Sequence, residues 1–171
     1  MPLDLTIKGA EKLRAMAAAL RAADKALPRK LQRAIKDAAQ PTLRDLRQAA
    51  RDIRTRGEPK PGRRHAFRGP STPKGLRGKI ADAVVADVRL GDDPKVAFRV
   101  DVGKLPENIR VMPRKFDQGG RFRHPVMGNR EVWVSQTGDA WFWPPIRDNI
   151  KTFRAEIDKA LEETRAEIER G

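Results

Sequence analysis

The chain contains two histidines, His65 and His124, and scattered carboxylates that include Asp101, Glu107 and Glu131. These are the side chains to weigh first for metal or proton chemistry. His65 lies among basic residues, and His124 sits in Arg121-Phe122-Arg123-His124-Pro125, where the neighbouring arginines oppose protonation and repel a cation. Two isolated histidines in a chain without cysteine do not make a zinc site. The three acids could converge as magnesium ligands of a nuclease, but acids scattered in sequence are usually surface charges. The chain has no Walker-type phosphate loop, no Gly-x-Ser-x-Gly elbow and no His-Glu-x-x-His. We therefore assign no catalytic, cofactor-binding or metal-ligating residue, and expect a protein that is not an enzyme.

What remains is the chemistry of contact. Arg56, Lys60, Arg63, Arg64, Arg68 and Lys74 form a dense positive cluster, with Phe67 among them, in a stretch rich in glycine and proline. Such a segment reads as a basic arm that is either solvated or ordered by a partner or by DNA phosphate. The formal charge of +14 would draw nucleic acid, an acidic protein surface or anionic lipid. The second chemical concentration is aromatic. In Trp141-Phe142-Trp143-Pro144-Pro145 consecutive rings cannot all face one small core if neighbouring strand residues point oppositely. Trp133 alternates with Val132 and Val134 in the same way. Some of these rings should pack in the core and others in a subunit contact; stacking on bases is the weaker alternative, since no repeated platform is visible.

The elements that must carry these residues follow from periodicity. With 171 residues, 39% hydrophobic and 35% charged, the chain reads as a single domain whose apolar residues must be gathered on particular faces. Leu13, Met16 and Leu20 among alanines predict a helix over 9–25. Leu27, Leu31, Ile35, Ala39, Leu43, Leu46, Ala50 and Ile53 predict a second helical stretch, kinked or divided by Pro41. The segment 54–79 is expected to be a flexible basic arm. A β-sheet region is expected over 80–145. Val84, Ala86, Val88 and Leu90, then Val96, Phe98, Val100 and Val102, alternate as an antiparallel hairpin. Further strands are expected at Glu131 to Ser135 and Ala140 to Phe142, around a Thr137-Gly138-Asp139 turn. A helix over 146–170 follows from Ile146, Ile150, Phe153, Ile157, Leu161, Thr164 and Ile168. The sum is an α+β fold in which helices cover one face of a small antiparallel sheet. The absence of cysteine fits synthesis in a reducing cytoplasm. The polar start of the chain argues against an export signal, and no apolar run reaches the roughly 20 residues of a membrane span.

Several motifs together resemble a family. Gly75-Leu76-Arg77-Gly78-Lys79-Ile80 after a basic loop, then a hairpin, Leu105-Pro106, and Met112-Pro113-Arg114-Lys115-Phe116-Asp117-Gln118-Gly119-Gly120 are similar to the middle of tail-completion (neck) proteins of long-tailed double-stranded-DNA phages. Arg123-His124-Pro125-Val126-Met127-Gly128-Asn129-Arg130, Trp133-Val134 and Trp141-Phe142-Trp143-Pro144-Pro145-Ile146 resemble the version found in phages of actinobacteria. The loop Ser71-Thr72-Pro73-Lys74-Gly75 departs from the proline, aspartate, threonine, glycine of many relatives. The resemblance implies a structural virion protein at the head-tail junction, forming a homo-oligomeric ring, expected to be a hexamer, around the DNA exit channel. Its implied partners are a head-side connector or stopper, the tail terminator or tail tube protein, and DNA in the channel; no membrane is implied. Candidate subunit contacts are Phe116, Arg123, His124, Trp133, Trp141 and Trp143, with the basic arm for a partner or DNA. The alternatives are a tail terminator or another connector ring and, from a different class, a sequence-nonspecific nucleic-acid-binding protein.

Overall fold

A computed structural model describes residues 4–6, 15–16, 26–54, 56–57, 75–90, 94–126 and 129–170. The long apolar stripe of the second predicted helix becomes two helices, α1 (Leu27–Ala38) and α2 (Gln40–Arg51). They are separated at Ala39, whose φ of -77° and ψ of -15° remain near helical. Pro41 explains the division, because it lacks an N–H and its ring crowds the carbonyl of Asp37 four residues back. The stripe survives the break: Leu31, Ile35, Ala39, Leu43, Leu46, Ala50 and Ile53 are all buried. Of the helix expected over 9–25, only Ala15 and Met16 fall within the described residues; both are helical, and Met16 packs against the core.

α3 (Gly75–Ala83) leads directly into β3 (Val84–Arg89), which pairs antiparallel with β4 (Lys95–Val100). β1 (Asp4–Thr6) completes this first sheet, in the order β1-β4-β3. The expected hairpin forms, with most of its predicted apolar face inward, although Ala86 and Leu90 are only half-buried and Ala97 is buried on the opposite face. Val84, Val88, Val96, Phe98 and Val100 are buried, and Phe98 meets Phe153 of the last helix with ring centroids 5.3 Å apart. That helix, α5 (Trp143–Arg170), starts three residues before the expected boundary and buries Ile146, Phe153, Ile157, Ala160, Leu161 and Thr164. The Thr164 hydroxyl donates to the Ala160 carbonyl at 2.8 Å, so this buried polar group is satisfied within its own helix.

A second antiparallel sheet has the order β2-β6-β5, from β2 (Arg56–Gly57), β5 (Arg121–Val126) and β6 (Asn129–Thr137). Between β4 and β5 in the chain come two 3₁₀ turns, Val102–Lys104 and Glu107–Ile109, and a short helix, α4 (Met112–Asp117).

The α+β architecture with a long C-terminal helix is as expected, while several local expectations need correction. Gly75 to Lys79, expected in the arm, belong to α3: burial of Ile80, Ala81 and Ala83 outweighs the roughly 1 kcal/mol that a glycine such as Gly78 costs a helix. Arg56 and Gly57, also assigned to the arm, pair with Thr137 and Gln136 as strand. Arg54 lies outside any helix or strand, and the rest of the arm, 55 and 58–74, lies outside the described residues. Within 80–145, α4 and the 3₁₀ turns interrupt what was expected as sheet. Val102 opens the first of these turns and does not extend β4. The strand at Ala140 to Phe142 does not form, because the N–H groups of Trp141 and Phe142 are engaged by the Asp117 carboxylate and not by a ladder. β5 was not expected as a strand at all.

Candidate functional site

α4 and the start of α5 are tied together by two of the motifs on which the resemblance rests. Asp117, the last residue of α4, accepts at Oδ1 the backbone N–H of Trp141 at 3.0 Å and that of Phe142 at 2.9 Å. A carboxylate placed there serves orphan amides at the mouth of α5 and faces the positive end of its dipole. The indole Nε1–H of Trp141 donates to the Pro113 carbonyl at 3.1 Å in a buried bond. Pro144 and Pro145 fit the first turn of α5, where an N–H has no intrahelical acceptor anyway. Gly119 ends α4 with a φ of +65°, the left-handed conformation that favours glycine. Gly138, at the end of β6, passes so close that a Cβ there would lie 2.2 Å from the Phe116 carbonyl oxygen.

This junction decides the fate of the aromatic rings. Phe116 is 1% exposed and Trp141 3% exposed, so neither has surface left for another subunit, and both are core residues of this chain. Trp143 is 37% exposed and Trp133 46% exposed. The β5–β6 hairpin is anchored at its base, where Phe122 meets Phe116 edge-on at 5.5 Å and the Lys115 ammonium lies 5.8 Å from the Phe122 ring centre. Along the hairpin Val132 and Trp133 are both exposed, although adjacent strand residues point to opposite faces, so both faces are open there.

One of those faces is chemically distinct. Arg123 pairs with Ser135, Arg121 with Thr137 and Pro125 with Trp133, which puts these six residues on the same side. Arg121 and Arg123 are exposed, and the Arg123 guanidinium lies 5.9 Å from the Trp133 ring centre, within cation–π range. Arg56 occupies the register position opposite Thr137 on the other side of β6. His124 is on the opposite face, 5.9 Å from the Phe122 ring and half-buried. Its Nδ1 lies 3.0 Å from the Pro125 carbonyl, an oxygen that can only accept, so Nδ1 carries the proton. Its buried Nε2 has no hydrogen-bond partner.

The remaining site candidates do not converge. Asp101 is 3.5 Å from the Arg99 guanidinium, Glu107 is exposed on a 3₁₀ turn, and Glu131 is exposed on β6. Among the described residues no group of three or more histidine or acidic side chains could hold a metal. No helix among them is long and apolar enough to cross a membrane. His65, Lys60, Arg63, Arg64, Arg68 and Lys74 lie outside the described residues.

One feature with no local sequence signal appears at the α1–α2 break. A groove of about 430 Å³ lies between this break and α5, lined by the buried or half-buried Ala38, Thr42, Phe153 and Ala160 and by the exposed Pro41, Asp37, Glu156 and Glu163. Its residues come from segments more than a hundred positions apart. Compared with known protein families, curated proteins and solved structures, the chain matches none.

Proposed function

We propose that this chain is a structural phage protein of the head-tail junction, a neck or tail-completion protein that works by forming a ring between the head connector and the tail terminator. Its contribution is surface fit, with no covalent chemistry. The supporting observation is the distribution of exposed apolar surface. Among the described residues, Val102, Val111, Val132, Trp133 and Trp143 are the large exposed hydrophobic ones, and they all lie between positions 102 and 143. That is the block whose motifs resemble the neck family, while α1, α2 and the remainder of α5 turn their large apolar residues inward. Exposed rings beside arginine are the chemistry of interface anchors. A ring also needs rigid elements for lateral contact and a charge tolerant of nearby DNA; the long helices and the net charge of +14 are suited to both. A tail terminator or another connector ring differs from this reading in position, not in chemistry.

A second reading draws on the same hairpin. Arg121 and Arg123 beside Trp133 could grip phosphate and stack on a base, making the chain a sequence-nonspecific nucleic-acid-binding protein. The two readings part on one experiment. Particles assembled without the chain should accumulate as filled heads and finished tails that fail to join if it is a neck protein. Joined particles, together with tight and steeply salt-dependent binding of duplex DNA by the purified chain, would favour the second reading.

A further inference from the structure

The groove at the α1–α2 break and the Trp133 face of the β5–β6 hairpin share no residue and are opposite in character. The groove is lined by the buried or half-buried Ala38, Thr42, Phe153 and Ala160, and its exposed lining carries Asp37, Glu156 and Glu163, with Lys159 as a counter-charge. Those three carboxylates have no ion-pair partner among the described residues. The hairpin face offers the reverse: an exposed indole with a guanidinium over it and a second arginine two residues along the strand.

We propose that Trp133 of one copy of this chain seats in the α1–α2–α5 groove of the next copy, with Arg123 meeting the carboxylates of its exposed lining. The inference rests on the assembly reading above and names the surfaces that would carry it. A groove of about 430 Å³ has room for an indole, and its acidic lining repels phosphate while attracting an arginine. Because knob and groove are different surfaces of one molecule, the contact is head-to-tail. Each copy then gives one and receives one, and the chain of contacts closes into a ring when the rotation per step divides a full turn. A two-fold dimer through either surface alone is not what this geometry favours.

The natural chain has no cysteine, so single-cysteine variants report cleanly. Ser135→Cys places a thiol on the hairpin face and leaves Trp133 and Arg123 intact, and Thr152→Cys places one on the groove. Mixing the two full-length variants with a short bis-maleimide should give a cross-linked heterodimer that neither variant gives alone. Adding Trp133→Ala to the first variant should weaken the association about thirtyfold, the size of an interface hot spot. Arg123→Glu should also weaken it, and Glu156→Arg in the partner variant should restore it. Unchanged thermal melting of each variant shows that folding is not what was lost.

A cross-link within Ser135→Cys alone, or none in the mixture, overturns the inference. So does protection of the Ser135→Cys thiol by added duplex DNA in place of cross-linking, which would give the face to nucleic acid. Larger species in sedimentation without the mixed cross-link would remove this pair of surfaces and leave the assembly reading standing. The expected cross-link in a chain that is absent from particle necks would do the opposite.

Discussion

Asp117 does for α5 what a capping side chain normally does from within a helix, except that it reaches across from the end of α4 to two backbone N–H groups. Asp117→Ala strands both donors and removes a negative charge from the helix mouth, so it should cost about 2–4 kcal/mol. A urea titration reads this as a lower midpoint at unchanged slope. The tryptophans should separate in the same assay. Trp141→Ala empties a buried site and breaks the bond to Pro113, for an expected loss of about 3–5 kcal/mol. Trp133→Ala, at a largely exposed position, should stay within about 1 kcal/mol of the parent. Their sequence contexts look alike, each a tryptophan in a short aromatic or β-branched run. What distinguishes them is tertiary: one indole meets the Pro113 carbonyl and the other lies on an open face of the hairpin beside Arg123. No local pattern could have told Trp141 from Trp133 as an interface residue.

At the scale of elements, long periodic stretches were readable and short ones were not. The stripe from Leu27 to Ile53, the Pro41 division, the β3–β4 alternation and α5 all follow from spacings of two, three or four residues. β5 escaped because Arg121-Phe122-Arg123-His124-Pro125-Val126 has three basic or imidazole side chains and a proline, the composition of a loop. It is tolerated as a strand because it lies at the edge of its sheet, where Pro125 need not donate to a further neighbour, and the register shifts between Pro125 and Val126. The groove is built from α1, α2 and α5 together, so no single segment announces it. The packing of β6 against α4 makes its own prediction. Gly138→Ala drives a methyl into the Phe116 carbonyl and should cost at least about 2 kcal/mol, whereas Gly120→Ala meets open space and should be close to neutral. Thermal melts of the two variants side by side check the difference.

For the whole molecule, the charge of +14 makes some affinity for nucleic acid expected on electrostatic grounds alone, whatever the function. What matters is how that affinity behaves. Replacing Arg63, Arg64 and Arg68 with glutamine should flatten the dependence of duplex-DNA binding on salt by up to about three units of log-log slope if all three touch phosphate. If assembly is the role, the same variant should stay folded, and any defect should lie in joining heads to tails. The fold separates a packed helical body from a block, residues 102–143, that keeps its exposed rings and valines at the surface. The most direct test of that division of labour is the place of the chain in the finished virion, read by imaging purified particles that carry a labelled copy. The account predicts label at the head-tail junction of every joined particle; mature, joined particles without it would contradict the account.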